Sequence, residues 1–340
     1  MTEWVNSFLG NSTRNRSGCP EHDTVPKVRQ AFLPAGADRN VRATLSSVCN
    51  GKWFRIRLRS AGALAVLCLA ELAAAADDGT GVVRRLRLGY SLRNTRSAPA
   101  PIAELLVRMP LTRTPWQTCD APTATRAFER QCGADGGHLL RFAFTNLPPF
   151  ACESIWVDVD VRMRETPGAD SGADGAAWLA AAAPFDFRDP AFAAVLRTLG
   201  GGPGRQTGEL GGMIARYAGE RVHGGGFSGG QRPALEVLRD GRGDCSERMA
   251  LVVALCRRAG IAARGVGGVC TPRDRVVRAA DFHDWAVYRE GAHWRLSDPG
   301  ARPAAATDYV AFQWIDGGPA DGVAVRRYRA AGDGVEARME

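Results

Sequence analysis

The chain has 340 residues, of which 45% are hydrophobic and 24% charged, and it contains 40 glycines. That length allows about two domains and a sizeable core, because a domain takes roughly 100 to 200 residues. No apolar run reaches the ~20 residues that a membrane span needs. The composition therefore excludes a short disulfide scaffold, a disordered chain and a multi-span membrane protein.

The formal net charge of +8 is spread thinly along the chain. Residues 1–76 hold ten basic and five acidic side chains, and every basic side chain after them is an arginine set singly or in pairs among acids. This pattern is typical of a solvated surface rather than of a stripe that binds phosphates. The sequence therefore excludes nucleic acid as a partner.

Residues 51–76 have the three parts of a secretory signal. Basic side chains come first, the apolar run 61–70 follows, and four alanines at 73–76 precede two aspartates. A buried amphipathic helix is the alternative, but residues 63–69 lack the polar face that such a helix shows. The pattern favours a periplasmic or secreted protein, anchored to the membrane if the segment is retained.

Residues 1–50 are polar, rich in Gly, Asn and Arg, and show little hydrophobic periodicity. Such a stretch cannot bury enough apolar surface to offset its chain entropy, so we expect it to be disordered. A signal peptide belongs at an N-terminus. We therefore interpret residues 1–50 as a spurious extension from a start site placed too far upstream, and expect the mature chain to begin after Ala76.

Nine cysteines are unusual in an exported chain unless some of them pair. Cys119, Cys132 and Cys152 lie in the region after the signal-like segment and are candidates for one disulfide, whose pairing the sequence leaves open. The sequence contains no CxxC pair and no His/Cys cluster at zinc spacing. It predicts neither a metal site nor a cofactor.

Hydrophobic residues alternate with period two between residues 82 and 164, as they do in strands with one buried face. Turn-forming residues interrupt the alternation at Asn94-Thr95 and Pro148-Pro149. We predict an antiparallel β-sandwich at 78–165, followed by a Gly/Asp/Ala linker at 167–176.

The pattern becomes helical after this linker. Asp189 is a candidate N-cap of a first helix, and Pro190 follows it at the first helical position. A second helix is predicted around residues 210–217, and a short third helix begins near Pro233. The Gly-rich loop 223–230 lies between the second and third helices. It is either the border of a cleft or a mobile surface loop.

Residues 243–260 predict a helix that carries the candidate nucleophile. Asp244 is its candidate N-cap and Gly260 its end, so Cys245 lies in the first turn. Unpaired backbone donors and the positive end of the helix dipole favour a thiolate at that position. Cys256 falls on the buried face of the same helix, where a small apolar core residue is the better interpretation.

A hairpin is predicted between residues 282 and 298, with its turn at Glu290-Gly291. A symmetric hairpin about this turn places His283 directly opposite Asp298. Opposed side chains have Cβ atoms ~4.5 to 5.5 Å apart, close enough for a carboxylate to fix an imidazole tautomer. The alternative is a His/Asp pair that only joins two strands.

Together these residues predict the Cys-His-Asp chemistry of acyl transfer. His283 takes the thiol proton of Cys245 and later returns it to a leaving amine, while Asp298 orients the imidazole. His293 lies beside the turn, and we interpret it as a solvated strand residue.

The order and spacing of these motifs resemble the transglutaminase-like core of the papain-like superfamily. The resemblance covers about residues 208–300 and rests on four motifs, which are Gly243-Asp244-Cys245, residues 254–264, His283-Asp284-Trp285 and Asp298-Pro299. It implies an α+β core with the nucleophile at a helix start and the His and Asp on adjacent strands. It also implies that Cys245, His283 and Asp298 form the catalytic triad.

Two positions depart from the family pattern, since Ala262 stands where relatives commonly have Pro and Gly300 where they have Thr. Neither change touches the chemistry. The family's oxyanion-hole side chain cannot be placed here, so the backbone N–H of Cys245 is the one donor that we predict. Some relatives use calcium, but this sequence has no EF-hand loop.

We therefore expect an α+β enzyme with a β-sandwich at 78–165 and a papain-like transglutaminase-core domain at 176–340. A peptide or amide would form a thioester with Cys245, which is resolved by water in a peptidase or amidase and by an amine in a crosslinking enzyme. Hydrolysis is favoured because no acceptor-amine site is evident. The rival hypothesis is a non-catalytic envelope binding module. The expected partner of the enzyme is a protein or peptide substrate.

Overall fold

The architecture is that of a computed structural model, in which the chain divides into two compact units at residues 1–76 and 77–340. The structure describes residues 44–49, 52–57, 81–132, 137–168, 177–200, 207–225, 231–300, 304–316 and 327–340. In the first unit it describes one antiparallel hairpin of β1 (Thr44–Cys49) and β2 (Lys52–Arg57). The other residues of the predicted disordered extension and of the signal-like segment lie outside the described residues. Both interpretations stay predictions.

The second unit begins with strands and continues with helices and strands. The early strands are β3 (Val82–Asn94), β4 (Ala100–Arg108), β5 (Gln117–Cys119), β6 (Thr123–Ala124), β7 (Glu129–Cys132), β8 (His138–Leu147) and β9 (Cys152–Met163). The helices are α1 (Pro190–Thr198), α2 (Thr207–Arg221), α3 (Ala234–Asp240) and α4 (Cys245–Arg258). The later strands are β10 (His223–Gly224), β11 (Arg242–Gly243), β12 (Ala263–Cys270), β13 (Arg275–Val277), β14 (Phe282–Glu290), β15 (His293–Ser297), β16 (Tyr309–Ile315), β17 (Tyr328–Ala331) and β18 (Val335–Met339).

The early strands form two sheets that contribute to one hydrophobic core. One sheet has the order β13-β3-β9-β5, with β18 also on β3 and β6 on β9, and the other has the order β17-β4-β8-β7. Every second residue of the central part of β3 is buried, as the period-two alternation predicts, and these are Leu86, Leu88, Tyr90 and Leu92. Their alternation turns one face of the strand inward and leaves the other to solvent.

Strands from the part of the chain after residue 270 complete both of these sheets. β13 runs parallel to β3, β18 pairs antiparallel with β3, and β17 pairs antiparallel with β4. Strand pairing therefore crosses the predicted division between 78–165 and 176–340. Alternation in a sequence shows which face a strand buries, whereas the partner of a strand depends on residues far away in the chain.

A third sheet has the order β15-β14-β12-β16 and carries the predicted catalytic hairpin. Helix α4 packs on one face, where Met249 and Val253 join Ala286 and Tyr288 of β14 in one apolar cluster. A cluster of aromatic side chains covers the other face, and it includes Trp116, Trp178, Trp285, Trp294 and Tyr309. Each face of this sheet is thus buried, which holds the strands rigid beneath α4.

Gln117 joins this third sheet to the strands that precede it. Its buried amide donates to the carbonyl of Leu111 at 2.7 Å and to that of Ala311 at 2.9 Å. It accepts in return from the backbone N–H of Ala311 at 2.7 Å. The side chain therefore satisfies both backbone groups of a β16 residue, as a neighbouring strand would.

The second unit is a mixed helix and strand fold, so the α+β class predicted from the sequence is confirmed at that level. Among the residues that the structure describes, no helix is both long and apolar enough to cross a membrane.

The three cysteines proposed as a source of one disulfide do not pair with one another. Cys119 and Cys152 are free thiols. Cys119 lies opposite Val161 of β9, whereas Cys152 begins that strand nine residues earlier. At ~3.3 Å per residue this separates them by roughly 30 Å, well beyond the ~7 Å limit between the Cα atoms of a disulfide.

Tyr90 yields a prediction about stability. Its side chain is fully buried between the two sheets, and within the described residues its hydroxyl has no hydrogen-bond partner. An unpaired buried polar group costs about 1 to 3 kcal/mol. We expect Tyr90→Phe to raise the free energy of unfolding by about 1 kcal/mol, because phenylalanine keeps the edge-on contact with Tyr328 and lacks the hydroxyl. Urea denaturation measures the change, and a less stable variant would show that the hydroxyl is satisfied.

Candidate active site

Cys245 is the first residue of α4, and a complete capping box holds it there. The Asp244 carboxylate accepts from the backbone N–H of Ser246 at 2.8 Å, and the Glu247 carboxylate accepts from the backbone N–H of Asp244 at 2.9 Å. Two open donors of the helix end are thereby satisfied, and the thiol lies at the positive end of the helix dipole. Cys245 is partly exposed, as a nucleophile must be.

Cys256 lies further along the same helix in a different environment. It is fully buried, and burial raises the pKa of its thiol. A buried neutral thiol is a poor nucleophile. The sequence interpretation of Cys256 as a core residue is therefore confirmed.

The backbone before Cys245 packs tightly against the first turn of α4. A Cβ atom on Gly243 would lie 2.3 Å from the Cβ of Glu247, so a larger residue would have to displace the helix. The carbonyl of Gly243 accepts from the backbone N–H of Gly225 at 3.2 Å, beside the short parallel pairing of β10 and β11. Residues 226–230 of the Gly-rich loop lie outside the described residues.

His283 and Asp298 are in direct hydrogen-bond contact. The Nε2 atom of His283 lies 2.7 Å from Oδ2 of Asp298, and the two side chains are 23% and 7% exposed. His283 is the second residue of β14, and Asp298 follows the last residue of β15. Because Nε2 faces the carboxylate, Nδ1 is the ring nitrogen left for Cys245, whose side chain interacts with the imidazole and contributes to raising its pKa.

The hairpin that carries this pair has a different register from the predicted one. Its strands pair Ala286 with Ser297 and Glu290 with His293, so the turn is Gly291-Ala292 rather than Glu290-Gly291. Gly291 has φ +60°, and a glycine with positive φ at the first central position is the preference of type II′ turns. The predicted direct opposition of His283 and Asp298 is therefore wrong.

The contact survives because the register error is two residues. A shift of two leaves every side chain on its predicted face, whereas a shift of one would reverse them all. His283 and Asp298 become diagonal neighbours, which long side chains still bridge. The prediction that His293 is a solvated strand residue is confirmed by its exposure.

The charges around His283 favour its protonated form. Burial lowers the pKa of the imidazole, but the hydrogen bonds and charges of Asp298 and Cys245 outweigh burial and raise the pKa to about 10. An opposite charge within a few ångströms stabilises the imidazolium. The site thus supports an imidazolium at His283 at neutral pH, beside Cys245 and Asp298.

A second contact ties the helix to the strand next to these residues. The hydroxyl of Ser246 donates to Oδ2 of Asp284 at 2.6 Å. Ser246 follows Cys245, and Asp284 follows His283. The immediate neighbours of the thiol and the imidazole are therefore joined, which limits how far α4 and β14 can move apart.

Tyr309 is a site residue that the sequence analysis missed. Its hydroxyl donates to Oδ2 of Asp298 at 2.8 Å, and its ring meets that of Trp285 edge-on at 5.1 Å between centroids. Trp285 in turn stacks beside His283. Tyr309 comes from β16, outside the motifs described above, and no local spacing in the sequence connects it with Asp298.

Residues 214–299 match the core of the transglutaminase-like superfamily. This range holds Cys245, His283 and Asp298. This segment of the chain is therefore similar to the transglutaminase-like core. The resemblance inferred from the order of the motifs is confirmed.

Two solved structures that match the chain belong to proteins described as candidate proteases. One, a candidate cysteine protease from Cytophaga hutchinsonii, superposes with a TM-score of 0.50 at 16% identity and covers 76% of this chain and 92% of its own. Another, from Parabacteroides distasonis, has a TM-score of 0.30 at 11% identity, and the match covers 68% of this chain and 48% of that one. The first similarity shows a shared fold. No curated protein sequence matches the chain.

The described residues around the transglutaminase-like core hold no group of three His, Cys, Asp or Glu side chains that is arranged for a metal ion.

Proposed function

We propose that the protein is a cysteine-dependent acyl-transfer enzyme that hydrolyses peptide or amide bonds, with Cys245, His283 and Asp298 as its catalytic residues. One observation carries the proposal. A partly exposed thiol at a capped helix start interacts with an imidazole that is in hydrogen-bond contact with a buried carboxylate. This is the geometry that nucleophilic catalysis by cysteine requires.

The first half of the proposed reaction forms a thioester. His283 takes the proton of the Cys245 thiol, and the sulfur attacks the carbonyl carbon of the substrate. The imidazolium then gives that proton to the leaving amine as the carbon–nitrogen bond breaks. The backbone N–H of Cys245, at the positive end of α4, is the proposed donor to the oxyanion that forms in between.

The second half releases the acyl group. His283 takes a proton from a water molecule, the resulting hydroxide attacks the thioester carbon, and the proton returns to the departing sulfur. Asp298 holds the same ring nitrogen throughout, which keeps Nδ1 directed at the reacting atoms. If an amine entered instead of water, the same steps would produce a crosslink.

The proposal also covers location and organisation. The signal-like segment 51–76 supports an exported enzyme, periplasmic or secreted. Two sheets around one core support a β-sandwich domain at 78–165, next to a catalytic domain at 176–340. The strand pairing across that division supports a tightly joined pair of domains rather than two independent ones.

The deciding experiment incubates the full chain with a peptide pool, with and without an added primary amine, and analyses the products by mass spectrometry. We expect new peptide termini or released ammonia, and no incorporation of the amine. Incorporation would make the protein a crosslinking transglutaminase.

Iodoacetamide labelling distinguishes the enzyme hypothesis from that of a binding module, which would have the same fold without catalytic activity. We expect one fast-labelling site at neutral pH, at Cys245, because the neighbouring imidazolium stabilises its thiolate. The free thiols Cys119 and Cys152 serve as internal controls on the same chain. Labelling of Cys245 no faster than of these two, together with no turnover of the pool, would favour the binding module.

A further inference from the structure

One oxygen of Asp298 receives two hydrogen bonds from different strands. His283 Nε2 lies 2.7 Å from Oδ2, and the Tyr309 hydroxyl donates to the same atom at 2.8 Å. The Asp298 side chain is 7% exposed, so water hardly competes for this oxygen. Hydrogen bonds to an ionised group are the stronger ones, and two from fixed directions define where the oxygen lies.

The hydroxyl of Tyr309 remains a donor over the working pH range. Its burial, together with the charge of Asp298, raises the pKa of the phenol above its ordinary value. A neutral phenol donates one hydrogen, and the nearby carboxylate accepts it.

The ring of Tyr309 is itself held in place. The preceding residue, Asp308, contacts Arg84 of β3 at 2.9 Å, and both of these side chains are largely buried. The carbonyl of Asp308 accepts from the backbone N–H of Thr271 at 2.7 Å. The ring of Tyr309 also packs edge-on against that of Trp285. These contacts together fix the position from which the phenol reaches Asp298.

We propose that Tyr309 is a positioning residue that fixes the Asp298 carboxylate against His283, and that it acts on the reaction only through Asp298. The inference rests on the proposed function of Cys245, His283 and Asp298. Without the Tyr309 hydroxyl, the carboxylate turns more freely about its side-chain bonds, the imidazolium is less well stabilised, and the thiolate of Cys245 is populated less.

A double-mutant cycle tests the proposal on the full chain, with Tyr309→Phe in the wild-type and in the Asp298→Ala background. The measurements are kcat and KM on a peptide that the pool experiment shows to be cleaved, and the rate at which iodoacetamide labels Cys245 at pH 7. In the wild-type background we expect kcat to fall about tenfold, with slower labelling and unchanged KM, because one hydrogen bond to a charged group is lost. In the Asp298→Ala background we expect Tyr309→Phe to change both rates less than about twofold, because the group it acts through is absent.

Tyr90→Phe is the matched control, since it removes the same hydroxyl from a tyrosine in the hydrophobic core between the two early sheets. It should leave kcat and labelling unchanged. Equal losses from Tyr309→Phe in both backgrounds would overturn the proposal and leave a general structural role. A Tyr309→Phe variant that matches wild type in kcat and labelling would also overturn it, even if Asp298→Ala fails to fold. Turnover that persists in Cys245→Ala would instead refute the proposed function, so the two failures are distinguishable.

Discussion

Replacing Cys245 with alanine is expected to lower kcat by about 10⁴-fold or more. The sulfur is the atom that forms the bond to the acyl group, and enzymes that lose a covalent nucleophile keep only the catalysis that binding and the oxyanion donors supply. The fold should persist. Cys245 is partly exposed, alanine is the best helix former, and the Asp244–Glu247 capping box does not use the Cys245 side chain.

The matched control is Cys256→Ala, on the same helix. Its thiol is fully buried, so the substitution leaves a cavity and should lower the free energy of unfolding by about 1 to 2 kcal/mol. Its kcat should equal that of wild type. Steady-state turnover measures kcat for the two variants, and urea denaturation measures their free energies of unfolding. A Cys245→Ala variant with wild-type turnover would remove the enzyme hypothesis.

Much of the local structure follows from the sequence alone. The helix that begins at Cys245 could be predicted because its signals are local: an N-cap aspartate, an apolar face and a terminal glycine. The structure adds the reciprocal bond from Glu247, which a capping-box pattern also indicates. The alternation in β3 likewise follows from neighbouring residues.

The register of the hairpin depends on which two residues occupy the centre of its turn. The sequence offers one glycine, Gly291, and the prediction placed it second of the two central turn residues, whereas the structure places it first. Both arrangements suit glycine, because each needs positive φ at one central position. Side chains of a strand alternate between its two faces, so a shift of two residues left His283 and Asp298 on a common face. The predicted contact between them therefore formed in spite of the register error.

The contacts that the sequence could not predict are long-range ones. Tyr309 reaches Asp298 from β16, and Gln117 satisfies the backbone of Ala311 at a separation of 194 residues. Neither depends on a periodic pattern or on a motif. The addition of β17 and β18 to the early sheets is of the same kind, because strand partners are chosen by the folded chain as a whole.

Replacing His283 with alanine is expected to lower kcat by about 10⁴-fold at every pH, because it removes both the base and the acid of the proposed reaction. Labelling of Cys245 by iodoacetamide at pH 7 should slow as well, since the imidazolium that stabilises the thiolate is lost. His293→Ala is the matched control, because His293 is exposed and outside the Asp298 contact. Equal losses in the two variants would show that the effect is not specific to the site.

The raised pKa of His283 sets the direction of the pH dependence. The pKa of His283 is raised from 6.5 to about 10, so the imidazolium persists through neutral pH. Activity should therefore fall only as the pH rises through about 10. The stability that Asp298 and Cys245 give to the charged ring is fully present below pH 6.5 and is lost between there and about pH 10. Asp298→Asn removes the carboxylate charge, so its alkaline loss of activity should begin at lower pH.

Asp298→Asn should also retain a weaker residual rate, because the base is still present. Its deficit in unfolding free energy relative to wild type should be largest near pH 6 and shrink towards pH 10, as measured by urea denaturation at both values. Wild-type activity that already declines between pH 7 and 8 would contradict the ion pair. So would an Asp298→Asn profile with the same alkaline limb as wild type, because the carboxylate would then have no part in holding the proton on His283.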